Sequence, residues 1–126
     1  MALRCFLFAG IAALGLGWQN EARADPVADC AVVMGKEVPA DSAAELRAGC
    51  TCQLAFIKAH LLAPEYVFWT QQLAIMGDQK MEDAERNQLM LRLLSQRGVP
   101  QMMNRIADAA QAALDPCHLE RWQKSR

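Results

Sequence analysis

The chain has 126 residues, with 13 Lys and Arg against 14 Asp and Glu, which gives a formal net charge of −1 at pH 7. Both signs are scattered along the sequence, without the concentrated positive field that nucleic acid or anionic lipid requires. These numbers argue against a nucleic-acid-binding function and predict one small domain rather than two.

The first 24 residues have the layout of a secretory signal peptide. Arg4 gives a basic start, an apolar run extends from Cys5 to Gly17, and a polar segment ends at Ala24. The apolar run has 13 residues, fewer than the roughly 20 that a membrane-spanning helix needs. We therefore expect cleavage after Ala24, which leaves a single domain of residues 25–126 in the periplasm or outside the cell.

The expected domain has a helical pattern throughout. Apolar residues recur at steps of three and four, and no segment alternates polar and apolar residues as a half-buried strand does. We predict an all-α fold, a small disulfide-stapled bundle of about four main helices with short terminal helices. Short connections indicate that consecutive helices pack as antiparallel neighbours.

Two helices are predicted in the N-terminal part. Asp25-Pro26 is a cap followed by a proline at the first helical position, and it opens a short helix that stops at Gly35. Residues 42–45 read Ser-Ala-Ala-Glu, the capping box that starts a second helix. Gly49 weakens this second helix, and Thr51 is a candidate for a new cap.

Three longer helices are predicted after Pro64. The first runs to Gly77 and has apolar residues on several faces. The second, roughly residues 80–97, carries an oriented Glu82–Arg86 pair on its solvent side. The third, residues 100–114, is rich in alanine, and we expect it to lie centrally because small side chains let helices approach closely.

The residues at the C-terminal end predict one more short helix. Asp115-Pro116 repeats the cap and proline signal. The helix that it opens would carry Cys117, His118 and Trp122.

Cysteine number and spacing predict a disulfide framework. After cleavage four cysteines remain, Cys30, Cys50, Cys52 and Cys117, and an even number in a small exported chain is typical of disulfides. Four cysteines allow three pairings. We favour Cys30–Cys50 with Cys52–Cys117, because the first bond closes a short helix-turn-helix loop and the second pins the last helix across the bundle.

A second pairing, Cys30–Cys52 with Cys50–Cys117, would join the same segments, whereas the third contains a direct Cys50–Cys52 bond, whose small strained ring would be easily reduced. Such a bond would suggest a thiol-redox protein, although the usual signature is Cys-x-x-Cys beside a strand-helix unit. The same thiols with His60, His118 and methionine would suit copper(I). The methionines fall mostly on apolar faces, where this residue is ordinary core filler, so we predict no metal and no cofactor.

No constellation in the sequence indicates an enzyme. We expect an exported protein that acts by contact with another periplasmic or secreted protein or with its own copy, as an inhibitor or immunity factor, a chaperone or an accessory subunit. Its candidate partner-binding residues are Tyr66, Phe68 and Trp69, which cannot all point inward if they are spread around one helix. Alternatively, these aromatic residues fill the core or a homodimer interface.

Overall fold

The computed structural model describes residues 25–124, and this range contains six α-helices and no strand. The helices are α1 (Pro26–Glu37), α2 (Ala43–His60), α3 (Ala63–Gly77), α4 (Asp83–Leu94), α5 (Val99–Ala113) and α6 (Glu120–Lys124). The predicted all-α class is confirmed. In the described range no helix combines the length and the apolar character that crossing a membrane requires. The predicted signal peptide lies outside the described residues.

The predicted starts of α1 and α2 are confirmed by their hydrogen bonds. Asp25 Oδ1 accepts a bond from the Ala28 N–H at 3.1 Å. Ser42 Oγ accepts from the Glu45 N–H at 3.1 Å, and Glu45 Oε1 accepts in return from the Ser42 N–H at 3.0 Å. Such caps satisfy N–H groups that have no partner inside the helix, and each is typically worth about 1 kcal/mol.

α2 is continuous, so the prediction of a weak point at Gly49 and a new cap at Thr51 is wrong. Thr51 Oγ1 donates to the Arg47 carbonyl at 2.7 Å, inside the helix. Gly49 is buried, and a Cβ at this position would lie 2.6 Å from the ring of Trp122. The glycine is there because α6 packs directly on the α2 backbone.

α3 is the central helix of the bundle, since it contacts α1, α2, α4 and α5. We predicted the central place for the alanine-rich α5, whose main contacts are with α2 and α3 only. α1 and α3 approach closely at Gly77, where a Cβ would lie 2.9 Å from the Asp29 Cα. Only glycine fits this crossing without moving one backbone away from the other.

Arg86 organises the connection between α3 and α4. Its guanidinium donates to three backbone carbonyls, those of Ile75, Asp78 and Met81. It also pairs with Asp83 at 2.8 Å. The structure shows this pair in place of the predicted Glu82–Arg86 pair, because α4 begins at Asp83 and Glu82 is only its cap residue.

The segment between α5 and α6 is a turn, so the helix predicted to start at Asp115-Pro116 begins later, at Glu120. His118 has a φ of 56°, which is incompatible with a right-handed helix. Cys117 lies in the same turn, and Trp122 follows on α6. Despite its position near the chain end, Trp122 is among the most deeply buried side chains of the described residues.

We expect Gly77→Ala to lower the free energy of unfolding by about 1 to 3 kcal/mol, because the added methyl group overlaps the α1 backbone. Gly35→Ala is the matched control, since its Cβ would meet only Leu46 Cδ1, at an ordinary distance of 3.5 Å. Urea unfolding of both variants measures the difference. Equal stability of Gly77→Ala and the parent protein would contradict this account of the α1–α3 crossing.

Candidate functional site

The two cysteines of the Cys50-Thr51-Cys52 sequence belong to separate disulfides. Cys30 is bonded to Cys50, with Cα atoms 5.9 Å apart, and Cys52 is bonded to Cys117, with Cα atoms 5.8 Å apart. The favoured pairing is therefore confirmed. It joins α1 and the turn after α5 to neighbouring positions on α2, and two disulfides are consistent with folding in an oxidising compartment.

The two disulfides differ in their access to solvent. Cys30 and Cys50 are 1% and 0% exposed, whereas Cys52 is exposed and Cys117 is half-buried. Because Cys50 and Cys52 have different partners, the alternative of a direct Cys50–Cys52 bond is wrong.

Residues with metal-binding side chains are not gathered in the described part of the chain, where no group of three or more His, Cys, Asp or Glu is suited to hold an ion. His60 is the last residue of α2. Its ring stacks on Phe56 with centroids 4.0 Å apart, and its Nδ1 lies 2.8 Å from the Phe56 carbonyl. His118 is exposed in the turn after α5.

The predicted partner-binding residues of α3 do not form a common surface. Phe68 and Trp69 are 4% and 9% exposed. They fill the core, as in the alternative interpretation, and a partner protein cannot reach them in the closed bundle. Tyr66 is half-buried, with its ring 6.2 Å from that of Trp69 and Lys58 Nζ 5.7 Å from its centroid. Burial raises the pKa of the Tyr66 hydroxyl.

The exposed large apolar residues of the described range lie on α3, on α4 or immediately before α3. They are Leu62, Val67, Leu91 and Leu94, and we call this set the α3–α4 edge. Val67, Leu91 and Leu94 lie in the halves of their helices that are distant from the connecting turn, and Leu62 immediately precedes α3. A short turn between two contacting helices places such halves at the same end of the pair.

A cavity of about 340 Å³, partly open to solvent, lies between α1, α2, α3, α5 and α6. Its wall is mixed, with the apolar residues Met34, Trp69, Met103, Ile106 and Trp122 and the polar residues Glu37, Gln72, Gln111 and Gln123. Gln53 also lines the cavity and is buried. The sequence indicated the burial of Gln53, because this residue lies three positions after Cys50 and four before Ile57, on the buried face of α2.

Asp41, in the turn between α1 and α2, fixes α6. Its carboxylate accepts bonds from Arg121 Nε at 3.0 Å and Nη2 at 2.8 Å, and from Trp122 Nε1 at 3.0 Å. The hydrogen bonds from Arg121, followed by the bond from Trp122, hold the pKa of the Asp41 carboxyl below its ordinary value. The cluster of Asp41, Arg121 and Trp122 thus helps to position one wall of the cavity.

Glu65 joins the start of α3 to α5. Oε1 accepts a bond from the Leu62 N–H at 3.0 Å, and Oε2 accepts from Arg105 Nε. The backbone bond from Leu62, with further help from Arg105, lowers the pKa of this carboxyl against the opposing effect of burial. Each carboxylate oxygen of this buried side chain has a donor, so Glu65 has a structural role in the helix start.

We expect Asp41→Asn to lower the stability of the protein at pH 7 by about 1 to 2 kcal/mol, because the amide loses the charge-assisted bonds to Arg121. A lowered carboxyl pKa stabilises the fold above the ordinary pKa, near 4, and this contribution disappears as the pH falls through the lowered value. Urea unfolding of the variant and of the parent protein at pH 7 and pH 3 measures their difference in stability. Asp108→Asn, at an exposed position on α5, is the control, and an unchanged deficit at pH 3 would contradict the role of the charge.

We expect limited reductant to open Cys52–Cys117 before Cys30–Cys50 in the folded protein, because thiol-disulfide exchange requires access to a sulfur atom and Cys52 is exposed. Differential alkylation followed by peptide mass mapping measures the order. In denaturant the preference should disappear. Earlier opening of the buried bond would show that burial does not control access.

No known protein family matches the chain, and neither a curated protein nor a solved structure is significantly similar to it.

Proposed function

We propose that this protein is exported and acts, without catalysis, by binding another protein through the α3–α4 edge. The layout of the first 24 residues supports export to the periplasm or beyond. The two disulfides agree with this location. Thiol-redox or copper chemistry at Cys50 and Cys52 is not proposed, because each sulfur is committed to a different bond.

The observation that carries this proposal is the exposure of four large apolar side chains, all of which the topology assigns to one end of the α3–α4 pair. Single exposed leucines are ordinary in soluble proteins, and only a group of them suggests an interaction site. Leu62 and Leu91 are 68% and 69% exposed, and the helix pair places them at one end together with Val67 and Leu94. Fully burying a leucine is worth about 1.5 to 3 kcal/mol, so a partner that covers this edge would gain several kcal/mol before the costs of association.

The packing of α4 makes this edge available. Leu93 is its one buried residue, and α3 is its main neighbour in the described part of the chain. Arg86 holds the beginning of α4 through the carbonyls at the end of α3 and in the turn. The other end of α4, with Leu91 and Leu94, therefore presents its apolar side chains from an anchored helix, which reduces the ordering cost of binding.

The test is photo-cross-linking in the producing cells, with a photoreactive amino acid at position 67 or 91. We expect the same discrete adduct from both positions, because both belong to one contact surface. Ala44, which is exposed at the start of α2, is the control position and should give no such adduct. An adduct of twice the chain mass would identify a second copy as the partner, and a ladder of many adducts would indicate a chaperone.

The variant Leu91→Ser with Leu94→Ser supplies the second arm. Because both residues are exposed, we expect these substitutions to leave the helical content unchanged and to abolish the adduct formed from position 67. Circular dichroism checks the fold. Adducts that arise equally from position 44, or that persist in this variant, would contradict the proposed surface.

A further inference from the structure

We propose that the cavity is a binding site for a small uncharged aromatic molecule with one hydrogen-bonding group, anchored by Gln53. This inference goes beyond the protein contact proposed above, because no residue of the α3–α4 edge lines the cavity.

The size of the cavity sets the size of the ligand. The cavity of about 340 Å³ is partly open to solvent, and exposed residues such as Gln111 and Gln123 line it, so a ligand has a route of entry. An apolar cavity of roughly 150 Å³ holds benzene, and ligand pockets begin near 300 Å³. A molecule of two fused rings matches this space.

The chemistry of the wall favours an aromatic ligand. Met34 and Met103 contribute thioethers, and Trp69 and Trp122 contribute indole rings. Thioether sulfur makes favourable contacts with aromatic rings, and aromatic pairs gain from offset or edge-to-face packing. A flexible alkyl chain would use the same volume without these contacts.

Among the four glutamines that line the cavity, Gln53 is the buried one, since Gln72 is half-buried and Gln111 and Gln123 are exposed, and we assign it the role of polar anchor. It is 7% exposed and lines the cavity. Its carboxamide oxygen lies 4.0 Å from Cys30 Sγ, but this sulfur belongs to a disulfide and has no hydrogen to donate. Within the described residues no other hydrogen bond to the carboxamide is present, which leaves donors and an acceptor for a ligand hydroxyl or N–H.

The charge at the border argues against an anionic ligand. Glu37 is the one charged residue among those that line the cavity in the described range, and no Lys or Arg lies there. A carboxylate or sulfonate would therefore find no cationic side chain among these lining residues, whereas an uncharged ligand needs none.

The test uses the protein with both disulfides intact and three probes, 1-naphthol, naphthalene and naphthalene-1-sulfonate. Isothermal titration measures each dissociation constant. We expect 1-naphthol to bind about tenfold more tightly than naphthalene, since one hydrogen bond to Gln53 separates them. The sulfonate should bind least. Absence of 1-naphthol binding, or tightest binding of the sulfonate, would overturn the proposal.

The variant Gln53→Leu tests whether Gln53 anchors a ligand or has only a structural role. We expect this variant to bind 1-naphthol and naphthalene equally, and to have a higher unfolding temperature, because it removes a buried carboxamide that lacks good partners. A purely structural Gln53 would give a lower unfolding temperature. Retention of the preference for 1-naphthol in this variant would overturn the proposal.

Filling the cavity gives an independent check. Ala110 lines it, and Ala110→Phe should abolish binding of both uncharged probes. Ala112→Phe is the matched control, because Ala112 is exposed on the same helix and does not line the cavity. Circular dichroism checks that both variants fold. Undiminished binding in a folded Ala110→Phe would place the probes elsewhere and overturn the proposal.

Discussion

The covalent attachment of two distant parts of the chain to α2 is the constraint on which the rest of the structure depends. Cys50 is bonded to Cys30 in α1, and Cys52 is bonded to Cys117 in the turn after α5, across separations of 20 and 65 residues. Loop-closure entropy assigns about 3 and about 4 kcal/mol to loops of these lengths, which is comparable with the whole net stability of a small domain. Gly49 lies directly before this junction and accommodates Trp122, so the core of the bundle is built around it.

This constraint divides the described part of the molecule into a stapled region and a region held by weaker bonds. α1, α2 and the turn that leads to α6 are joined by sulfur and by the bonds of Asp41 to Arg121 and Trp122. α4 contains no cysteine, and side-chain packing and Arg86 hold it in place. Local opening free energies follow such differences in contact. The cavity lies between the two regions, because α3 and α5 line it together with α1, α2 and α6, whereas the α3–α4 edge lies outside the stapled region.

Local signals in the sequence predicted local structure. The caps at Asp25 and Ser42 depend on residues only three positions apart. The even number of cysteines predicted disulfides from the sequence alone. Features that join remote segments were not predictable in this way. Asp41 meets Arg121 80 residues later, and the cavity exists only after several helices have packed. The aromatic residues of α3 were ambiguous because α3 has neighbours on several sides, so no single face of the helix indicates the core.

The separation between Cys52 and Cys117 also bears on how the disulfides form. In a chain that enters an oxidising compartment with its N-terminus first, Cys30, Cys50 and Cys52 arrive before the partner of Cys52, which is 65 residues further on. In that interval Cys52 is an unpaired nucleophile two residues from a bond that it could attack. In the folded bundle Cys30 and Cys50 are fully buried, so the Cys30–Cys50 bond is out of reach of a free thiol.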